Sequence, residues 1–306
     1  MLSHHKPWSI LLASRSSPPE LIAATPNTTP FAPSSGTPHD PIARALHCAF
    51  EISPLERIGA VTAKFNIHRG GVLDKLHASN IVQQPLDKGT AYEILIALLK
   101  LERSLAPTAP IVFIPVDHIA VNEAAIIRAV ASMCQWIIRE PDPVYLLGAT
   151  PQGPHDELGY IVPWLGTSPT PLAVYEFVER PSARRARQLI NEGGLWNTFI
   201  FGGTFQSLMR LFVRTMDTEI AAFRLALAQP DECVARPDID ALYDRLPHLD
   251  FSQAFLVPQV DQLRVLRLPH CGWWPLKAPR QRSLSARPST IAISRETELG
   301  VAGSRP

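Results

Sequence analysis

Residues 111–118 read IVFIPVDH: six apolar residues in a row, then an aspartate and a histidine. A run so short and continuous suits a strand covered on both faces, because a half-exposed strand would alternate apolar and polar positions. Upstream, a helix is expected over 42–50, with strands at 58–62 and 81–84. The next helix opens Thr90-Ala91-Tyr92-Glu93, the spacing of a capping box, with Ile94, Leu95, Leu98 and Leu99 as its apolar stripe. Downstream, Asn122 caps a helix running to Arg139, and 144–148 and 173–178 read as strands. Ser182 caps a helix that ends near Gly193-Gly194, one helix covers roughly 205–228, and 263–268 returns to strand. WSILLA (8–13) is the expected first strand. Strands alternating with helices of this length predict an α/β fold, a mostly parallel sheet with helices on both faces.

Composition bounds the function. The 306 residues are 46% hydrophobic and 19% charged, and Lys plus Arg (29) nearly balances Asp plus Glu (28). Such a balance argues against a broad electrostatic grip on nucleic acid or an anionic membrane. Apolar runs fall far short of the ~18 residues of a membrane span. The N-terminus lacks the pattern of a signal peptide. Cys48, Cys134, Cys233 and Cys271 stand far apart without a CxxC pair, which suits reduced thiols in a cytoplasmic protein. Proline is the outlier at 30 residues, seven of them within 14–41, where neither helix nor central strand can propagate. The expected organisation is therefore an irregular Pro-rich segment over 1–41 that includes the first strand, one α/β domain over 42–279, and a tail over 280–306.

In such sheets ligands bind beyond the carboxyl ends of the strands. Asp117 falls there, either to hold a divalent metal against phosphates or merely to cap the next turn. Gln84-Pro85 and Gly89-Thr90-Ala91 form a strand-to-helix joint whose amides suit an anion or the edge of a base, as any helix N-terminus does. Glu179 and Arg180, at another strand end, are either ligands for hydroxyls and phosphate or a solvated ion pair. Trp196-Asn197 either packs and hydrogen-bonds a sugar or closes a core. The ten histidines show no HxH or HxxxH spacing, and neither a GxSxG elbow nor a GxxxxGK[ST] loop is present. Arg184, Arg185 and Arg187 read as a solvated helix face.

Taken in order, QQPLDKGTA (83–91), IVFIPVDH (111–118), LLGATPQGPHDELGYIVP (146–163), FVERP (177–181), GGLWNTFIF (193–201), LPHLDFSQAFL (246–256) and LPHCGWWPLKAP (268–279) resemble the sugar-phosphate nucleotidyltransferases, in particular the mannose-1-phosphate guanylyltransferase group. The resemblance covers roughly 55–279. It implies a Rossmann-like, nucleotide-diphospho-sugar transferase type of fold. The implied reaction is attack by a mannose 1-phosphate oxygen on the α-phosphorus of GTP, giving GDP-mannose and pyrophosphate. It also implies nucleotide and sugar-phosphate or nucleotide-sugar partners and Mg²⁺ as cofactor. By position, Asp117 would bind the metal, while Gln84, Pro85 and Thr90 would lie near the base. Gly159 would let the backbone approach the sugar, Glu179 and Asn197 would bind mannose, and Arg180 would stand where the group has a phosphate-binding lysine.

The departures are as informative. The group's first strand runs into a glycine-rich loop with an arginine, whose amides cradle the triphosphate. Here the strand runs into Ser14-Arg15-Ser16-Ser17-Pro18-Pro19, without glycine, leaving Arg15 as a partial substitute. A following Pro-Lys pair is replaced by Pro30-Phe31-Ala32-Pro33. Gly272-Trp273-Trp274-Pro275 stands where the group has Gly-Trp-Ser-Asp, so Pro275 replaces a second metal aspartate, and Ala254 replaces another acid. Losing one transition-state charge partner commonly costs several kcal/mol. Coordinated losses predict weak or absent turnover, and hence, as an alternative, a non-catalytic nucleotide-sugar-binding or regulatory homologue.

Overall fold

The computed structural model describes residues 6–14, 40–63, 72–164, 170–228 and 237–276. Its strands are β1 (Trp8–Leu12), β2 (Ile58–Ala63), β3 (Ile81–Gln84), β4 (Pro110–Pro115), β5 (His118–Ile119), β6 (Val144–Ala149), β7 (Tyr160–Pro163), β8 (Leu172–Val178), β9 (Leu195–Thr204), β10 (Leu263–Arg267) and β11 (Trp274–Pro275). The α-helices are α1 (Pro41–Ile52), α2 (Thr90–Leu101), α3 (Glu123–Arg139), α4 (Ala183–Asn191), α5 (Phe205–Val213), α6 (Asp217–Leu227) and α7 (Pro237–Arg245). No helix among the described residues is long and apolar enough to cross a membrane. Cys48, Cys134 and Cys271 are free and buried, and Cys233 lies outside the described residues.

The main sheet runs β3-β2-β1-β4-β9-β6-β10-β8-β7, and β7 also pairs with β9. β4 is the doubly covered strand its apolar run implies. Ile111 and Phe113 join the core with α2, α5, α6 and α7, whereas Val112 and Ile114 join the core with α1, α3 and α4. Helices thus cover both faces, but the sheet is mixed rather than mostly parallel. The parallel pairings are β1 with β2 and β4, β2 with β3, and β6 with β10. β9 runs antiparallel to β4, β6 and β7, and β8 antiparallel to β7 and β10. The sequence conceals β9 because its segment, LWNTFIFGGT, mixes glycines and polar residues that disfavour a strand in isolation. Burial between β4 and β6 outweighs that propensity.

Two local expectations are also corrected. Thr90 does not close a capping box with Glu93. Gly89 is the N-cap, at φ +98°, while Thr90 Oγ1 accepts from the Phe251 amide (3.0 Å) and Glu93 Oε1 from the Ser14 amide (3.2 Å). Tertiary partners have taken both groups from each other. The helix expected over 205–228 is two helices, because Met216 adopts a non-helical conformation (φ −130°, ψ 32°) that buries its side chain.

Candidate functional site

A cleft of about 560 Å³ opens beyond the carboxyl ends of β1, β4 and β8. Asp117, Thr90, Gly159, Glu179, Arg180 and Asn197 all line it, so six side chains or backbones distant in sequence converge on one site. Gln84 and Pro85 do not line it. Gln84 is buried, and its amide is engaged on both sides: Nε2 donates to Ser14 Oγ (2.8 Å), and Oε1 accepts from Tyr243 Oη (3.0 Å). Arg15 lies outside the described residues. Glu93, His155, Asp250, Ser252 and Trp273 also line the cleft and were not singled out as site residues from the sequence. Only Glu93 carried a signal, as the one charged residue within the buried stretch Ala91–Leu99.

Glu179 leaves β8 beside Gly159. A Cβ built on Gly159 would lie 2.6 Å from Glu179 Oε2 and 3.2 Å from the Phe177 ring, so glycine there is what lets the carboxylate sit against the backbone. Glu179 Oε2 is buried without a hydrogen-bond partner among the described residues, while Oε1 lies 3.7 Å from Arg180 Nε. Arg180 adopts φ +48°, a conformation unusual for a side-chain-bearing residue and common at ligand sites. That conformation places its guanidinium between two carboxylates, with Asp250 Oδ2 also at 3.7 Å.

Asn197 sits on β9 next to a bulge, where the register against β6 shifts and Phe199 has φ +59°. Side chains replace the lost ladder bonds there. Asn197 Oδ1 accepts from the Phe199 amide (3.1 Å), and Thr198 Oγ1 accepts from the Ile200 amide (3.2 Å) while donating to Leu147 O (2.7 Å). With its oxygen so held, Asn197 offers Nδ2 to the cleft as a donor. Trp196 is 1% exposed, with Nε1 donating to Tyr160 Oη (3.0 Å). Of the two readings of Trp196-Asn197, the indole closes the core and the amide faces the cleft.

Burial, reinforced by the Asp250 charge and opposed by Arg180 and a Ser252 hydrogen bond, pushes the Glu179 carboxyl up to about 7. The folded protein therefore keeps a proton that the unfolded chain releases above its ordinary carboxyl pKa. Stability from this group is full below that value, falls as pH rises towards about 7, and stays reduced above it. Glu179→Gln, neutral throughout, is expected to be more stable than the parent at pH 8 by about 2–3 kcal/mol, with the difference gone at pH 4. Urea melts at both pH values check this, and an equal difference at the two would overturn it.

Among the described residues, Asp117 is the one metal-competent carboxylate at the end of β4. The neighbouring β11 pairs Pro275 with His118 and holds Asp117 through the Leu276 amide (2.8 Å to Asp117 O), and the proline side chain has no donor atom. His118 is partly buried, with Nδ1 shielded from solvent, and is kept neutral, its pKa pushed down to about 4 by burial against the opposing pull of Asp117. Among the described residues no three His, Cys, Asp or Glu side chains are grouped to hold a metal. These residues therefore do not form a magnesium cage, and no chemical step is assigned to a metal.

No family model matches the chain. Over 130 residues, 42% of its length, it is 29% identical to the alginate biosynthesis protein AlgA of Pseudomonas putida, a match spanning about a quarter (26%) of that relative. Among solved structures it is similar to mannose-1-phosphate geranyltransferase from Thermus thermophilus (TM-score 0.68, 19% identity, 88% of this chain and 76% of that one). It is also similar to mannose-6-phosphate isomerase from Helicobacter pylori (TM-score 0.65, 16% identity, 88% and 99%) and to the inositol-1-phosphate CTP transferase from T. maritima (TM-score 0.52, 12% identity, 89% and 89%). At these identities the structural likenesses establish the fold. The resemblance to sugar-phosphate nucleotidyltransferases read from the sequence is borne out.

Proposed function

We propose that this chain is a sugar-phosphate nucleotidyltransferase-like protein that retains the sugar end of the cleft and transfers guanylyl groups weakly or not at all. The carrying observation is the convergence of Gly159, Glu179 and Asn197. Together they put a partly protonated carboxyl and a free amide donor beside a backbone that has no room for a side chain. A carboxyl plus an amide is the donor and acceptor set that vicinal sugar hydroxyls match. Arg180, already between two carboxylates, is the one arginine or lysine among the described lining residues and the candidate contact for a sugar phosphate. On this reading the chain's own residues orient a sugar. GTP and mannose 1-phosphate as substrates, GDP-mannose as ligand and Mg²⁺ as cofactor come from the resemblance.

The second reading, a non-catalytic nucleotide-sugar-binding or regulatory protein, is favoured by Pro275 beside Asp117. One measurement separates the readings and a second tests their common ground. Pyrophosphate release from GTP, mannose 1-phosphate and Mg²⁺ above a no-protein blank would establish transfer, and its absence would leave the binding role. Calorimetric titration with GDP-mannose tests what both share. Glu179→Ala and Asn197→Ala are each expected to weaken binding about tenfold, the loss of one or two polar contacts. Undiminished binding by both variants would overturn the assignment of the sugar site.

A further inference from the structure

Two ring nitrogens on the wall of the cleft carry a proton that the described fold leaves unused. One belongs to His155. Its Nδ1 accepts from the Glu157 amide (3.3 Å), and a ring nitrogen that accepts carries no proton, so in the neutral ring the proton sits on Nε2. Burial keeps the ring neutral, lowering its pKa against the opposing charges of Glu157 and Asp156. His155 lines the cleft at 5% exposure, and its Nε2–H has no partner among the described residues. The other nitrogen belongs to Trp273, also 5% exposed and on the same lining. Its Nε1–H is buried without a hydrogen-bond partner among the described residues. An indole nitrogen only donates, and a buried donor left unpaired is costly enough that most folds supply a partner.

Both rings are held in place. His155 meets Trp196 and Trp274 edge-on, with centroids 6.1 and 6.4 Å away, and its amide donates to Tyr160 Oη (2.8 Å). Trp273 packs against Trp196 and His118 (6.3 and 6.2 Å). The chain around it is fastened, since Cys271 O accepts from the Val121 and Asn122 amides (2.8 and 3.0 Å) and Trp274 pairs with Ile119. The shared contact with Trp196 puts His155 and Trp273 on one wall, and the next residue of β9 is Asn197, whose Nδ2 already faces the cleft. All three groups are uncharged N–H donors. They match an uncharged oxygen, such as a sugar hydroxyl that accepts from N–H and donates to a carboxylate, while phosphate is left to the Arg180 guanidinium.

We propose that His155 and Trp273 are specificity-determining residues: Nε2–H of the one and Nε1–H of the other each donate to an acceptor oxygen of the hexose, in addition to the oxygens met by Glu179 and Asn197. This deepens the sugar-site reading above and rests on it for the nature of the ligand.

The test is calorimetric titration of the full chain with GDP-mannose as the sugar probe and GDP as its sugar-free reference. Trp273→Phe and His155→Phe keep an aromatic ring and remove the N–H. Each is expected to weaken GDP-mannose binding about tenfold and to change GDP binding less than about twofold. His155→Gln, which restores an N–H near the position of Nε2, should recover binding to within about threefold of the parent. Retention of the parent's preference for GDP-mannose by either folded phenylalanine variant, or an equal loss for both ligands, would overturn the proposal and leave the sugar site itself standing. Should Trp273→Phe fail to fold, the indole N–H resonances of the parent's six tryptophans decide. Saturation with GDP-mannose, but not with GDP, is expected to move one of them downfield, as a newly made hydrogen bond does, and six unmoved resonances would overturn the proposal. A parent that binds GDP-mannose no more tightly than GDP would overturn the sugar-site reading, and this proposal with it.

Discussion

Gly89→Ala is expected to destabilise the fold by about 3–5 kcal/mol, combining left-handed backbone strain with a forced overlap. Gly89 has φ +98°, and a Cβ there would lie 2.3 Å from the carbonyl oxygen of Leu249 and 2.7 Å from its carbon. Neither atom belongs to a flexible side chain, so relief requires the 249–251 backbone to withdraw from α2. That backbone is fastened by three hydrogen bonds: Leu249 N–H to Lys88 O (2.8 Å), Ala91 N–H to Leu249 O (3.2 Å), and Phe251 N–H to Thr90 Oγ1 (3.0 Å). Phe251 then stacks on Phe201 and Phe212, which carries the damage into the core. For a chain of this size the expected drop in melting midpoint is about 10 °C. A melt within about 2 °C of the parent would show that the joint tolerates a side chain.

Trp196→Ala is expected to cost about 3–5 kcal/mol, the range for deleting a large buried aromatic side chain. The indole packs against His155, Trp273 and Trp274, with ring centroids 6.1, 6.3 and 5.5 Å away. Its N–H bonds Tyr160 Oη, which also accepts the His155 amide (2.8 Å). Removing it therefore loosens the 155–159 wall of the cleft as well as the core, so binding of the sugar probe should weaken alongside stability. Urea unfolding followed by circular dichroism checks the first effect. A midpoint unchanged from the parent would mean that the aromatic cluster closes over the cavity. Trp196→Phe, which retains much of the packing, should lose less than half as much.

The two positions illustrate different degrees of legibility. Gly89 was visible in the sequence as part of a strand-to-helix joint, but its purpose was not, because Leu249 arrives from about 160 residues away in the chain. Trp196 was visible as one of a pair with two readings, and only its burial separates the indole in the core from the amide in the cleft. Of the residues the sequence suggested, Asp117, Thr90, Gly159, Glu179, Arg180 and Asn197 meet in one cleft. Gln84, whose polar side chain suggested a ligand at least as well, is turned to Ser14 and Tyr243 instead. Glu93 went the other way: read as a local helix cap, it reaches across to β1.

The sequence by itself determined that this chain makes strands covered on both faces and places carboxylates just past their ends. Both follow from the local order of apolar and polar residues, since burial of a strand leaves a pattern every residue records. Only the tertiary structure decided that β9 enters antiparallel, making the sheet mixed. Only it decided that Glu93 sits on the Ser14 amide, and that Glu179 lies against a bare backbone at Gly159. Each of these depends on which distant segment claims a donor, an acceptor or a few cubic ångströms, and a hydrogen-bonding group carries no local mark of the partner it will find.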